Sequence, residues 1–206
     1  MNDRSGGWDH GFAPQDIAAL SSVTEGPVLL AGDPELVGEV SSPDIANVHE
    51  PDLVVGATNA ADVQAAVRFS LDFRLPLAVI SPGHHAPSSA KGGVLITTSR
   101  MNQIHLDRRS RTAIVGAGAL WSDVVDRAAE LDLAPLVPSY PATGIVDRAF
   151  GWTSGHVRSI EVVAPDGEFH HVTAASDPQM FRLLCDSDVS DVGVGVITAM
   201  KFVLFR

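Results

Sequence analysis

The chain has 206 residues, 45% of them hydrophobic, with a formal net charge of -11 and a mean hydropathy of +0.16. That length can bury a sizeable core, while the acidic balance argues against nucleic acid or an anionic membrane as partner, since either needs a cationic surface to displace counterions. The single cysteine, Cys185, excludes an internal disulfide and a cysteine-based zinc site.

In chain order, Met1 to Ala13 reads as a mobile tail, rich in Gly and Asp with only Trp8 and Phe12 as apolar anchors. The polar, glycine-rich start of this tail does not look like a signal peptide, and no apolar run approaches a membrane span, so the cytoplasm is the expected compartment. Pro14 suits the first turn of a short helix through Leu20. From Glu25 to Glu50, Gly26-Pro27, Asp33-Pro34 and Ser42-Pro43 predict turns around the apolar run Val28 to Ala31. Residues 1–50 are thus expected to be a tail and an irregular arm, ahead of one domain over 51–206.

The stretch from Asp52 to Ser99 carries the strongest pattern. An extended segment (Leu53 to Gly56) leads to a helix over Asn59 to Phe73, capped by Thr58 or Asn59, with Val63, Ala66, Val67 and Leu71 on its apolar face. A second extended segment (Pro76 to Ile80), a turn-rich loop (Ser81 to Pro87) and a third strand (Val94 to Thr98) follow. Strand, crossover helix and strand make a βαβ unit with parallel strands and a loop at their carboxyl edge, where open α/β sheets hold ligands.

The basic run Arg108-Arg109-Ser110-Arg111 reads as a charged turn ahead of a strand over Thr112 to Val115. Gly116-Ala117-Gly118-Ala119 then precedes a helix over Trp121 to Leu131, with Val124, Val125 and Ala128 on its buried side. The pattern lacks the third glycine of a dinucleotide fingerprint and reads as a tight turn. Asp186, Asp188 and Asp191 are placed too poorly for a calcium loop, because Asp191 takes the glycine position, and read as a solvated acidic turn with no metal.

The run from "PDLVVGATNAADVQAAVRFS" through "AVISPGHHAPSSAKGGVLITTSRMNQIHLD", continued by "RAFGWTSGHVRSIEVVAPDGEFHHVT" and "VGVITAMKFVLF", resembles the FAD-binding domain of the berberine-bridge-enzyme-like flavoproteins, of the vanillyl-alcohol-oxidase or PCMH-type superfamily. The resemblance spans about Pro51 to Phe205. It implies an α+β fold of two subdomains, about 51–105 and 106–206, the first holding the βαβ unit and the second a mixed or antiparallel sheet. It also implies a flavin site formed by the equivalents of Ser81, Gly83, His84 and Gly144, with His84 at the position that often carries the flavin covalently.

Several departures from that pattern argue against the cofactor. Ser81-Pro82 stands where relatives have glycines, and proline offers no amide to an oxyanion. The glycine-rich passage of the relatives is reduced to Gly144 within Ala134 to Trp152, and the three late aspartates would repel a pyrophosphate. Like charges about 4 Å apart cost on the order of 4 kcal/mol in partly screened surroundings, as much as a millimolar affinity supplies. The chain also stops before the substrate domain of its relatives.

The reading drawn from these departures is a cofactor-free enzyme on a degenerate flavin scaffold, a cyclase of cycloaddition type in natural-product biosynthesis. A small apolar substrate such as a polyketide would lie in the cleft, with His84, His85 or Tyr140 donating a hydrogen bond to its carbonyl. His105 and His156 fall beside the same segments, and for any one of these histidines a surface or hydrogen-bonded structural role competes. The first alternative is an FAD-binding oxidoreductase domain completed by a partner subunit or a second copy. The second is a binding relic without catalysis.

Overall fold

A computed structural model describes residues 11–40, 50–82, 91–136, 154–186 and 192–206. The tail through residue 10, most of the loop after Ile80, the segment 137–153 and the aspartate run 187–191 lie outside the described residues. The elements in order are α1 (Pro14–Val23), β1 (Val28–Leu30), α2 (Leu36–Val40), β2 (Leu53–Gly56), α3 (Ala60–Asp72), β3 (Leu77–Ile80) and β4 (Val94–Thr97). There follow β5 (Ile104–Asp107), β6 (Thr112–Gly116), α4 (Trp121–Ala129), β7 (Val157–Val163), β8 (Phe169–Val172), α5 (Pro178–Asp186) and β9 (Val196–Val203).

Two sheets result. The first has strand order β1-β2-β4-β3, with β2, β4 and β3 mutually parallel and β1 antiparallel at the edge. The expected βαβ unit is present, and β4 inserts between its two strands. All four residues of both β2 and β4 are buried, as suits central parallel strands covered on both faces. One face packs Leu53, Val55 and Ile96 against Val63, Ala66 and Val67 of α3. The other buries Leu29, Val54, Ile80 and Leu95 beneath Leu36 and Val40 of α2. Leu71 points outward at 49% exposure, and Phe69 takes its place in the core, where Phe12 meets it edge-on.

The helix expected from Pro14 is α1, and the arm read as irregular supplies β1 and α2. Its apolar run cannot stay unpaired, and Val28 to Leu30 pairs antiparallel with Leu53 to Val55. A buried carboxylate fastens it. Asp62, in the first turn of α3 and 1% exposed, accepts from the amides of Glu25, Gly26 and Thr58 and from the Thr58 hydroxyl. The Asn59 side chain caps the helix by accepting from the Asp62 amide at 3.0 Å, as the sequence implied.

The second sheet is fully antiparallel in the order β5-β6-β9-β7-β8. Helices α4 and α5 cover one face, burying Trp121, Val124, Ala128 and Leu184 against Val115, Ile160, Met200 and Phe202. Trp121 stacks on Phe202 with ring centroids 5.2 Å apart. The basic run closes the β5–β6 hairpin, where Arg108 pairs with Asp132 and Asp107 accepts from Ser110 and the Arg109 amide. Among the described residues no helix is long and apolar enough to cross a membrane.

Asp62→Ala is expected to lower the unfolding free energy at pH 7 by about 3 kcal/mol, because it strands several amides away from water, and urea denaturation measures the loss. Burial pushes the Asp62 carboxyl up, but the hydrogen bonds from Thr58, Glu25 and Gly26 together outweigh it and hold the group below its ordinary value. The folded pKa lies below the unfolded one, so this stabilisation is complete above about pH 4 and is lost as pH falls through the folded value. Wild-type protein should lose that share of stability on acidification, and Asp62→Ala should not.

Candidate functional site

The carboxyl edge of the first sheet is where its parallel strands end side by side, at Gly56, Ile80 and Thr97. Ser81, the first residue past β3, is 8% exposed, and its hydroxyl accepts from Thr98 Oγ1 at 2.9 Å. The Thr98 amide donates to Ile80 O at 3.0 Å, which anchors the start of the loop to the end of β4. Thr97 and Thr98 are fully buried, so this edge is floored by hydroxyls. Glu39 of α2 closes it from outside, accepting from Thr97 Oγ1 and pairing with Arg100. Arg100 therefore spends its charge on Glu39.

The second sheet meets this edge through Gly116-Ala117-Gly118. A Cβ on Gly118 would lie 1.9 Å from Thr98 O, and one on Gly116 would lie 2.1 Å from Met101 O. Gly118 N donates to Met101 O, Gly116 N to Gln103 O and Ala117 N to Thr198 O. Neither glycine has a positive φ. The pattern read as a tight turn is thus a contact surface, whose glycines let two backbones touch. Thr198 sits at the irregularity where β9 slips against β7, and its own hydroxyl is buried without a hydrogen-bond partner among the described residues.

Of the predicted site residues, Ser81 is the one the structure describes, and it lies at the carboxyl edge as expected. Gly83, His84, His85, Tyr140 and Gly144 lie outside the described residues. His105 is an exposed residue of strand β5, and His156 packs edge-on against Phe205 at 5.1 Å. Neither joins the Ser81–Thr98 pair. The sequence reading missed Thr98 and Thr198, which sit in apolar strand patterns where a threonine reads as a strand former.

A dinucleotide cofactor needs uncharged donors for its phosphates and a backbone that can approach closely. The carboxyl edge offers an uncharged donor in the Ser81 hydroxyl, whose oxygen accepts from Thr98 Oγ1, and the glycine seam brings the second sheet's backbone close to it. The residues present fit such a group.

Comparison with known proteins points to the same chemistry. The family described as FAD binding domain matches residues 51–173. An uncharacterized oxidoreductase encoded by ORF5 in the fasciation locus of Rhodococcoides fascians is 34% identical over 148 residues, covering 64% of this chain and 33% of that protein. The (R)-6-hydroxynicotine oxidase of Paenarthrobacter nicotinovorans is 28% identical over 202 residues, covering 86% of this chain and 43% of that protein. The crystal structure of 6-hydroxy-D-nicotine oxidase from Arthrobacter nicotinovorans superposes with a TM-score of 0.81 at 23% identity, over 89% of this chain and 43% of that one. The BBE-like 1 protein of Physcomitrella patens gives 0.78 at 18% identity, over 92% and 44%. The fold is the PCMH-type one expected, and the chain spans less than half the length of these relatives. Names of FAD-linked oxidoreductases favour the flavoprotein alternative over the cofactor-free cyclase.

Gly118→Ala should cost about 2 kcal/mol by forcing the two backbones apart, read from urea denaturation. Gly38→Ala is the control, since its Cβ meets nothing within 4 Å and α2 gains a better helix former. It should be neutral or slightly stabilising.

Proposed function

The chain belongs to the FAD binding domain family, and from that premise we propose that it forms the flavin-holding part of an oxidoreductase. One observation carries this reading: the nearly buried Ser81 hydroxyl, which accepts from Thr98 Oγ1, stands where the strands of the parallel sheet end at its carboxyl edge. FAD bound there would supply a two-electron acceptor. The chain's own part is to bind and orient. Ser81 presents an uncharged donor to phosphate oxygens, Thr98 orients that hydroxyl by donating to it, Glu39 pairs with Arg100, and the fully buried β2 and β4 keep water from beneath the site.

Residue His84 follows Ser81 by three positions in the loop, and by its order there it is the proposed attachment point for the flavin ring. With 43% to 44% of the relatives' length represented, the substrate-covering part is proposed to come from further chain or a partner subunit. The substrate is proposed to be a small, largely apolar molecule.

A second reading keeps the cofactor-free cyclase, on the ground that Pro82, the second residue of the loop, has no amide to offer a phosphate. Tyr140, His84 or His85 would then serve as the hydrogen-bond donor to a substrate carbonyl.

The full chain, purified and mixed with FAD, should take up one equivalent and turn yellow, and colour that survives denaturation should disappear in His84→Ala. Ser81→Ala should weaken uptake about tenfold, the loss expected for a hydrogen bond to a charged group, measured by flavin fluorescence quenching. A chain that takes up no flavin even with the nucleotide in large excess overturns the flavoprotein reading and leaves the cyclase.

A further inference from the structure

The second sheet has one face covered by α4 and α5 and another that carries a concavity of about 460 Å³, remote from the Ser81–Thr98 edge in sequence and lined by Thr112, Arg158, Ser159, Glu161, His171 and Lys201 among others. Two cations share this hollow in a chain of net charge -11. Neither Arg158 nor Lys201 makes an ion pair among the described residues. Lys201 sits directly across from Ser159 in the β9–β7 ladder. Arg158 occupies the register shift between Val157 and Ser159, an irregularity of the kind that re-aims a side chain. Ser159 is 5% exposed, and its hydroxyl makes no hydrogen bond among the described residues.

The lining also holds one carboxylate, Glu161. Glu161 Oε1 lies 3.6 Å from Nδ1 of His171, its cross-strand neighbour. Beside that pair the hollow presents two cations that make no ion pair among the described residues, and the nearly buried Ser159 hydroxyl; the Thr112 hydroxyl is spent on Ser110. Donors without acceptors, carrying positive charge in a concave surface, are complementary to a compact oxyanion.

We propose that this hollow on the outer face of the second sheet is a binding site for a small oxyanion, a phosphate or a carboxylate group, held by Arg158 and Lys201 with Ser159 as hydroxyl donor. Arg158 supplies planar, paired donors and Lys201 a point charge, so a tetrahedral or planar oxyanion can be gripped from two strands at once. Its lining shares no residue with the Ser81–Thr98 edge, and its occupant is an effector or a charged group of a second ligand.

The test is an amide NMR titration of the full chain with sodium phosphate at constant ionic strength and without flavin. The amides of Ile114, Ser159 and Lys201 should shift saturably, and the double variant Arg158→Gln/Lys201→Gln should bind about tenfold more weakly, as loss of charge-assisted bonds implies. A parallel titration with malonate identifies the source, since tighter phosphate binding assigns a phosphate ester and tighter malonate binding a carboxylate. Absence of a saturable shift with either anion, or equal affinity in the variant, overturns the proposal. If the double variant does not fold, Lys201→Gln alone is read by the same criterion, with a weakening of about threefold expected. FAD takes no part, so this result and that of the flavin titration stand or fall separately.

Discussion

The architecture turns on the contact between Gly118 and the Thr98 carbonyl, where a single added methyl group would sit at 1.9 Å. Two sheets of different kinds, one largely parallel and one antiparallel, can share a cleft only if their backbones come this close. The amide of Gly118 donates to Met101 O and that of Ala117 to Thr198 O, so the close approach is also hydrogen-bonded. A backbone-on-backbone seam has no side chains to rearrange, which makes it stiff. The Ser81–Thr98 hydroxyl pair sits beside that stiff seam and is held in place by it.

The chain's acidity is distributed with the same economy. Among the described residues the best buried carboxylate, Asp62, has its lone pairs filled by backbone amides and a hydroxyl, and it faces the arm instead of the cleft. Glu39, at the edge of the cleft, is matched by Arg100. Of the described carboxylates, Glu39 is thus paired and Asp62 is turned elsewhere. A net charge of -11 says little about the local potential when the nearest carboxylates are satisfied.

Much of the fold was legible because periodicity reports burial directly. Leu53 to Gly56 and the helix after Asn59 were readable from a continuous apolar run and from a cap followed by Val63, Ala66 and Val67. What stayed hidden depends on contacts far apart in sequence. The arm looked irregular because Gly26-Pro27 and Asp33-Pro34 dominate its local chemistry, while the forces that order it come from its distant partners in sequence, β2 and Asp62. Gly116 and Gly118 looked like a turn because a glycine's local freedom is visible in a sequence and its crowding is not. Thr98 and Thr198 could not be told from ordinary strand residues, since being a donor at a seam is a property of the seam. Of the candidate site itself, the sequence located the loop through Ser81 but not the hydroxyls that face it.

This difference explains why the cofactor-free reading was the weaker inference. It was built by counting donors along one segment, Ser81 to Pro87, and finding Pro82 where an amide was wanted. A cradle at the junction of two sheets draws its donors from three or more segments, however, and loss along one is offset by hydroxyls on another. Thr98 lies on the strand adjacent to that loop and Thr198 on the central strand of the other sheet. An unsatisfied buried hydroxyl costs about 1 to 3 kcal/mol, and a fold retains it at a seam more readily when something polar lies against it. Thr198 Oγ1 and Trp121 Nε1 are both such orphans among the described residues, whereas the proline is only the absence of one donor among several.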